Sequence, residues 1–399
     1  IENVSVQISE QNRGSIVAAI QSVQVCKRKR NFSSLHHAIG SVFEAMAPST
    51  LYQKVVYGAN IILLSSGTSS ADKIEQADVA SFELMGEVGV LNGTSLNLLL
   101  FGSMSESCLE SKCLARIVNQ TGGVCVCDAG ASAILVKLMS GENVAFACEI
   151  SIATSEGFAV SVSEKSVPFG SALRKTNSWV VAKCDPRTSF AVDFEYLSAD
   201  GISDYEARTA YVQTTFSYST FSIRTASVEH YVRVYTASFH SSRDLVAMYT
   251  SACTGTVFSI MSRKLIQASV LQGVDETKEL MSDWVVFLSS QINKAAAQNM
   301  RGRRKKCYFF DEKDYLWCIP RLLFGLLHSP VFEPATEGNL IAALRIHVNQ
   351  RSTNEAISAV FPTPELFQDE QKRFLYFQWY EEWLVTIRKA ANEFAATSD

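Results

Sequence analysis

Asn119–Gly130 reads NQTGGVCVCDAG, a stretch that is either a thiol site or a piece of framework. Thr121-Gly122-Gly123 closes the preceding segment ESCLESKCLARIVNQ as a helix, because glycine supplies the positive φ on which helices end. GVCVC then predicts a short buried strand. Residues i and i+2 of a strand share a face, so Cys125 and Cys127 sit side by side, with Val124 and Val126 on the other. Neighbouring cysteines on one strand are poorly placed for a bridge. A zinc site needs further ligands at tetrahedral spacing, and no His or Cys-x-x-Cys lies close by. The pair therefore reads as framework, in keeping with the frequent burial of free Cys. Cys108 and Cys113, five apart on a helix, read the same way.

Working outward, the first 141 residues alternate helix and strand. SSLHHAIGSVFEAMA predicts a helix capped by Ser33 or Ser34, with Leu35, Ile39, Val42, Phe43 and Met46 on one stripe. The run Asn60–Leu64, apolar from Ile61 onward, predicts a strand covered on both faces. SFELMGEVGVLNG reads as a helix ended by Asn92-Gly93, and TSLNLLLFGSM as a second buried strand. Together they predict an α/β sheet.

From about Glu142 the pattern changes to period two. Phe146, Cys148, Ile150 and Ile152 alternate, then Phe158, Val160 and Val162 after Ser-Glu-Gly, which predicts a hairpin. SWVVAKCDPRTSFAVDFEYLS predicts two strands about an Asp-Pro turn, with Phe190, Val192, Phe194 and Tyr196 on one face. RTAYVQTTFSYST and EHYVRVYTASF add two more. Six antiparallel strands with no intervening helix predict a β-sandwich. From His240 to Met300 the spacing is helical, with Leu280, Trp284, Phe287, Leu288 and Ile292 as one stripe. The remainder mixes short strands with helices and ends on the amphipathic YEEWLVTIRKAANEFAA. The expected modules are 1–141 (α/β trunk), 142–239 (β-sandwich), 240–300 (all-α helical domain) and 301–399 (mixed α/β end), packed as one rigid body. The fold class is thus multidomain α/β and β.

The composition suits several cores: 47% of the 399 residues are hydrophobic and 19% charged. The apolar runs NLLLFG and IILLSSG fall short of the ~20 residues a bilayer requires. The opening IENVSVQISEQNRGS has no charged head followed by an apolar run. It starts at Ile, the expectation for a piece of a longer chain. Ten scattered cysteines point to a reducing compartment. The sequons at Asn3, Asn31, Asn92 and Asn119 point the other way, toward secretion.

Recognised catalytic patterns are missing from the sequence: no His-Glu-x-x-His, no nucleophile elbow, no Walker loop. SSGTSS reads as a strand-to-helix turn. It loosely resembles the Asp-x-Ser-x-Ser metal site of von Willebrand A-type sheets but has no Asp at the required place. The basic runs are sharper. Lys27, Arg28, Lys29 and Arg30 form one; Arg301, Arg303, Arg304, Lys305 and Lys306 form the other. Each is either a solvated loop or a contact with an anionic surface. Near an acidic membrane each basic residue contributes about 1 kcal/mol, so nine facing one way would bind despite a net charge of −4. Nucleic acid is not expected, since no reading motif or aromatic interleaving accompanies the first run.

The order trunk sheet, sandwich, helices, mixed end resembles the COPII inner-coat subunits of the Sec twenty-three and Sec twenty-four type. The similarity runs collinearly through SSLHHAIGSVFEAM…ANIILLSSGTSS, SLNLLLFGSMSESCLESKCLARIVNQTGGVCVCDAG, FACEISIATSEGFAVSVSE, WVVAKCDPRTSFAVDFEY with its Pro-x-Thr turn, AYVQTTFSYS…YVRVYTASF with Arg233, and YFFDEKDYLWCIPRLLFGLLHSPVF. Thr121-Gly122-Gly123 and SPVFEP favour the Sec twenty-three type. The resemblance implies a von Willebrand A-like trunk and a gelsolin-like final module. It implies a cytoplasmic coat subunit, peripheral at endoplasmic reticulum exit sites, that pairs with a sister subunit, a Sar-type small GTPase and acidic membrane. Three departures stand out. The family's four-cysteine zinc module has no counterpart here, so no cofactor is expected. The first trunk strand is missing. The chain stops before the region that carries the family's arginine finger, so a scaffold rather than an enzyme is expected. The alternatives are an active GTPase activator for the Sar GTPase and a metal-dependent von Willebrand A-type adhesion protein.

Overall fold

The computed structural model describes residues 39–44, 59–65, 76–100, 111–127, 144–161, 173–174, 178–197, 209–222, 224–225, 227–240, 242, 244–299, 316, 318–332, 338–360 and 370–397. Residues 42–399 make one compact unit; 1–41 make another, of which 39–41 are described.

The trunk is a parallel sheet in the order β1 (Ala59–Ser65), β2 (Thr94–Leu100), β3 (Cys125–Cys127). Its crossovers contain α1 (Gln76–Leu91) and α2 (Ser111–Gln120). Leu96, Leu98 and Leu99 are fully buried, as a strand covered on both faces demands. Asn97 is equally buried, and its amide is satisfied by the sheet itself: Nδ2 donates to Ile61 O (3.1 Å) and Oδ1 accepts from Val124 N (3.2 Å). The helix described at 39–44 buries Phe43, but Val42, expected on the same stripe, is 37% exposed.

Gly122 carries the positive φ (67°) after α2. Gly123 serves a different need: a Cβ there would sit 1.8 Å from Leu96 O. Thr121 is buried beside it, donating to Ile117 O (2.8 Å) and accepting from Leu96 N (3.0 Å). Thr-Gly-Gly is therefore both a helix stop and the splice that seats β3 on β2.

The sandwich has a five-stranded antiparallel sheet, β10-β9-β4-β7-β6, and a two-stranded sheet, β5-β8. Its strands are β4 (Ala145–Thr154), β5 (Phe158–Val160), β6 (Leu173–Arg174), β7 (Ser178–Cys184), β8 (Phe194–Tyr196), β9 (Thr209–Ser222) and β10 (Ser227–His240). The predicted β4–β5 hairpin does not form. β4 is paired on both sides, to β7 and β9, so β5 crosses to the other sheet and pairs with β8. Ser155 fixes the crossing: its N–H donates to Tyr211 O (2.9 Å) and its hydroxyl accepts from Tyr211 N (3.1 Å). Phe158 then meets Tyr196 and Phe239 edge-on, at 4.5 and 5.3 Å. A bulge in β4 between Phe146 and Glu149 holds Ala147 at φ 49°, a left-handed conformation that costs a non-glycine about 1 kcal/mol.

The remaining described elements are helices: α3 (Leu245–Ser251), α4 (Thr254–Leu271), α5 (Val274–Asn299), α6 (Ile319–Leu327), α7 (Gly338–Gln350), α8 (Thr353–Val360) and α9 (Glu370–Thr397). They share one core, in which Phe258, Leu265 and Met281 pack with Leu323, Val348 and Ile387. That core crosses the boundary read at residue 300. Among the described residues of 301–399 all named elements are helices; the short strands expected there are not among them.

On α5 the buried stripe is Thr277, Met281, Val285 and Ser289, with Trp284 and Leu288 beside it. Phe287, expected on the stripe, is 52% exposed and touches Phe394 of α9 at its rim. Hydroxyls explain the difference. Ser289 can be buried because its Oγ donates to Val285 O (2.6 Å) within its own helix. On α9, Tyr376, Tyr380, Leu384 and Ile387 recur at helical spacing and are buried. The two tyrosines close on Phe324 of α6, with ring centroids 5.3 and 5.4 Å apart.

Candidate functional site

Both basic runs, Lys27–Arg30 and Arg301–Lys306, lie outside the described residues. Cys125 and Cys127 pair in register with Leu98 and Leu100 of β2, but Val124, Cys125 and Val126 are half-buried rather than buried as expected. Cys148, Cys184, Cys253 and Cys318 are free thiols. Among the described residues no three His, Cys, Asp or Glu gather as a metal site.

Two sequons are built into the trunk. Asn92 Nδ2 donates to Phe43 O (3.4 Å), and its Thr94 is fully buried. Asn119 accepts from Gln350 Nε2 through its backbone O (3.2 Å), and its Thr121 is fully buried. Neither has the free loop geometry that glycosylation uses. Asn3 and Asn31 lie outside the described residues.

Two thiols mark the chemical extremes. Cys253 is exposed at the start of α4, where first-turn hydrogen bonding, from the backbone of Thr256 foremost, then its side chain and the Gly255 backbone, lowers its pKa. Cys184 is buried, and its pKa is pushed well up, first by the hydrogen bond it shares with Cys148 and then by burial. Iodoacetamide at pH 8 should therefore label Cys253 first and Cys184 last of the described thiols. Timed quenching and peptide mass measurement would read the order; the reverse order would show that these environments are misassigned.

The most developed polar cluster is a joint between modules. It begins with Asp185-Pro186-Arg187-Thr188, which folds as a turn. Thr188 N donates to Asp185 O (3.0 Å), and Asp185 Oδ1 accepts from Arg187 N (3.0 Å) and Thr188 Oγ1 (2.9 Å). Proline suits such a turn because its φ is already set. Asp185 Oδ2 is left to face Arg351 Nη1 at 2.5 Å, with side-chain exposures of 18% and 13%. Burial alone would raise the Asp185 pKa. The hydrogen bond and charge of Arg351, with the Thr188 hydroxyl and Arg187 amide, outweigh it and hold the carboxyl below its usual range.

Backbone bonds widen the joint. Ser189 N donates to Gln350 O (2.9 Å), Ser352 N to Arg187 O (2.8 Å), and Ser189 Oγ to Arg351 O (2.5 Å). From α4, Arg263 Nη2 donates to Ser189 O (3.0 Å) and Oγ (2.6 Å). Arg263 is 1% exposed, and burial lowers its pKa to about 10, which leaves it charged at neutral pH. Lys264 pairs with Asp193 at 2.7 Å, and Arg187 with Glu355 at 3.1 Å. Gln350 meanwhile reaches Asn119 of the trunk. Residues 350–352 thus touch trunk, sandwich and helices together.

The sequence marks this turn twice, by its Asp-Pro pair between two strands and by the resemblance's Pro-x-Thr. Arg351, Arg263 and Ser189 were not singled out, and no motif announces them, since each matters only through residues far away in the chain. The joint holds no reacting group poised toward solvent; its chemistry is that of a rigid connection.

Two surfaces are open for contact. On the β9–β10 ribbon, Tyr211, Phe221, Val232, Val234 and Tyr235 are 52–72% exposed. On α9, Phe377, Trp379 and Val385 are 42–61% exposed.

No family model matches the chain. It is 28% identical over 175 residues to Protein transport protein SEC23 D of Arabidopsis thaliana, covering 39% of this chain and 24% of that protein. Its fold matches the human COPII-coat protein Sec24c with a TM-score of 0.62 at 14% identity, over 87% of this chain and 47% of that one. The ArnB paralog VWA2 of Sulfolobus acidocaldarius overlaps at a TM-score of 0.40 and 12% identity, over 84% and 73%. The chain thus spans about a quarter of its curated relative and about half of the matched coat structure.

Proposed function

We propose that this chain, a relative of the SEC23/SEC24 coat subunits and SEC23-like in sequence, is a scaffold subunit of the vesicle coat that carries protein from the endoplasmic reticulum to the Golgi. The observation that carries this reading is the agreement of two independent comparisons, one in sequence and one in fold, on the same kind of protein. The joint at 350–352 supports it. A coat subunit must hold several contact faces at fixed angles, and buried ion pairs and backbone bonds between modules do so better than flexible linkers. No helix among the described residues is long and apolar enough to cross a membrane.

The finer reading follows the resemblance. The chain binds a Sar-type small GTPase, a sister coat subunit and acidic lipid, at the cytoplasmic face of endoplasmic reticulum exit sites, without a cofactor of its own. The basic runs Lys27–Arg30 and Arg301–Lys306 supply the lipid contact. In flotation, the chain should rise with acidic liposomes, and more so with the GTP-loaded Sar GTPase. Reversal of Lys27–Arg30 and Arg303–Lys306 to Glu should abolish flotation while circular dichroism is unchanged. Undiminished flotation would return both runs to solvated loops and remove the lipid contact.

The second reading, GTPase activation, predicts faster GTP hydrolysis by the Sar GTPase when this chain is added. Arg263 and Arg351 are not free to reach a partner's phosphate: both are committed inside the joint. The adhesion reading is weakened by the two sequons held within the trunk.

A further inference from the structure

β10 is the outer strand of the five-stranded sheet, paired to β9 through fourteen residues without a register shift. Val232 to Thr236 are exposed, five in succession. Val232, Val234 and Tyr235 stand at 64%, 59% and 72%. Successive strand residues point to opposite faces, so both faces are open along this stretch. A strand paired on one side leaves about half of its N–H and C=O groups directed outward. Proteins usually guard such an edge with lysine, proline, a bulge or short length. Val232–Thr236 has none of these, and its one charge is Arg233.

We propose that this edge receives an extended segment of another protein as an added strand, with an acidic residue set against Arg233 and β-branched residues on either side. Charge selects this occupant. The ribbon 209–240 carries Arg224 and Arg233 against Glu229 alone. Glu229 is already engaged, accepting from Tyr231 OH (2.5 Å) and Thr225 Oγ1 (3.0 Å). The open stretch Val232–Thr236 therefore presents one positive charge, Arg233, with no unengaged carboxylate on its own strand. A second copy laid across the open stretch Val232–Thr236 would bring Arg233 toward its own counterpart, with no unengaged carboxylate of the strand to meet it. The ribbon is also preorganised: Phe216, Tyr218 and Tyr231 stack at 4.9 and 5.4 Å, so little ordering is left for binding to supply. Backbone pairing gives the affinity and alternate side chains the selectivity, as in strand addition elsewhere. The edge is independent of the lipid and GTPase contacts proposed above.

The test is fluorescence anisotropy of a labelled nonapeptide, alternating valine and threonine about a central glutamate, titrated with the whole chain. Saturable binding is expected, weakened at least about tenfold by Arg233→Glu and restored when the peptide's glutamate is exchanged for lysine against that variant. N-methylation of alternate peptide amides keeps the side chains but removes donors, and should abolish binding. Arg233 is exposed, so the variant should melt as the parent does. Equal binding of the N-methylated peptide, indifference to Arg233→Glu, or no binding at millimolar peptide would overturn the proposal. So would sedimentation showing a dimer that Arg233→Glu dissolves, which would assign the edge to a second copy.

Discussion

Asp185→Ala should lower the unfolding free energy by about 3 kcal/mol, although Asp185 belongs to a surface turn. The substitution removes the partner of a largely buried guanidinium, Arg351, and the acceptor for Arg187 N and Thr188 Oγ1. An unpaired charge left in such surroundings costs more than the pair contributed. The carboxyl is held below its usual range in the folded chain. Its contribution is therefore complete above the unfolded pKa of about 4 and is lost as pH falls through the folded value. Asp185→Asn should flatten the acid limb of the stability curve below about pH 4 and leave the neutral limb parallel to the parent's. Denaturant melts at pH 7 and pH 3 decide this. A double-mutant cycle with Arg351→Ala should return a coupling of at least about 1 kcal/mol; additive losses would mean the ion pair is idle.

Gly123→Ala should be as damaging, at about 3 kcal/mol or more, by a steric route. The new Cβ would lie 1.8 Å from Leu96 O and 2.6 Å from Leu96 C. Those are backbone atoms of the central strand, held by parallel pairing to β1 on one side and β3 on the other. Nothing there can rotate away. Gly86→Ala is the control. Its Cβ would meet Gln120 Oε1 at 2.2 Å, the end of a side chain that can swing aside, so it should cost less than about 1 kcal/mol. Thermal melts of both variants suffice, and equal losses would refute the distinction between backbone and side-chain neighbours.

What the sequence made legible follows from range. Helix stops and buried strands are local, so Asn92-Gly93, Thr121-Gly122-Gly123 and the run Thr94–Leu100 could be read directly. Strand partners are not local. Alternation in Phe146–Ile152 and Phe158–Val162 showed two strands but could not show that β4 already had neighbours on both edges. The Phe287 error is of another kind. Hydrophobic spacing favoured phenylalanine over Ser289, and only the bond back to Val285 O makes the serine the better interior residue. The joint was least legible, because Asp185 and Arg351 are ordinary residues until the chain brings them together. The open edge of β10 could be read as a strand, but its lack of an outer neighbour among the described residues is a property of the sheet.

Asp185 and Arg351 stand 166 residues apart, and that interval has a consequence during synthesis. At roughly 5–20 residues per second, Asp185 leaves the ribosome on the order of ten to thirty seconds before its guanidinium partner. Throughout that delay the turn carries a carboxylate still fully hydrated, and the newborn sandwich is free to pivot. Translation of the last helices is what ends the wait.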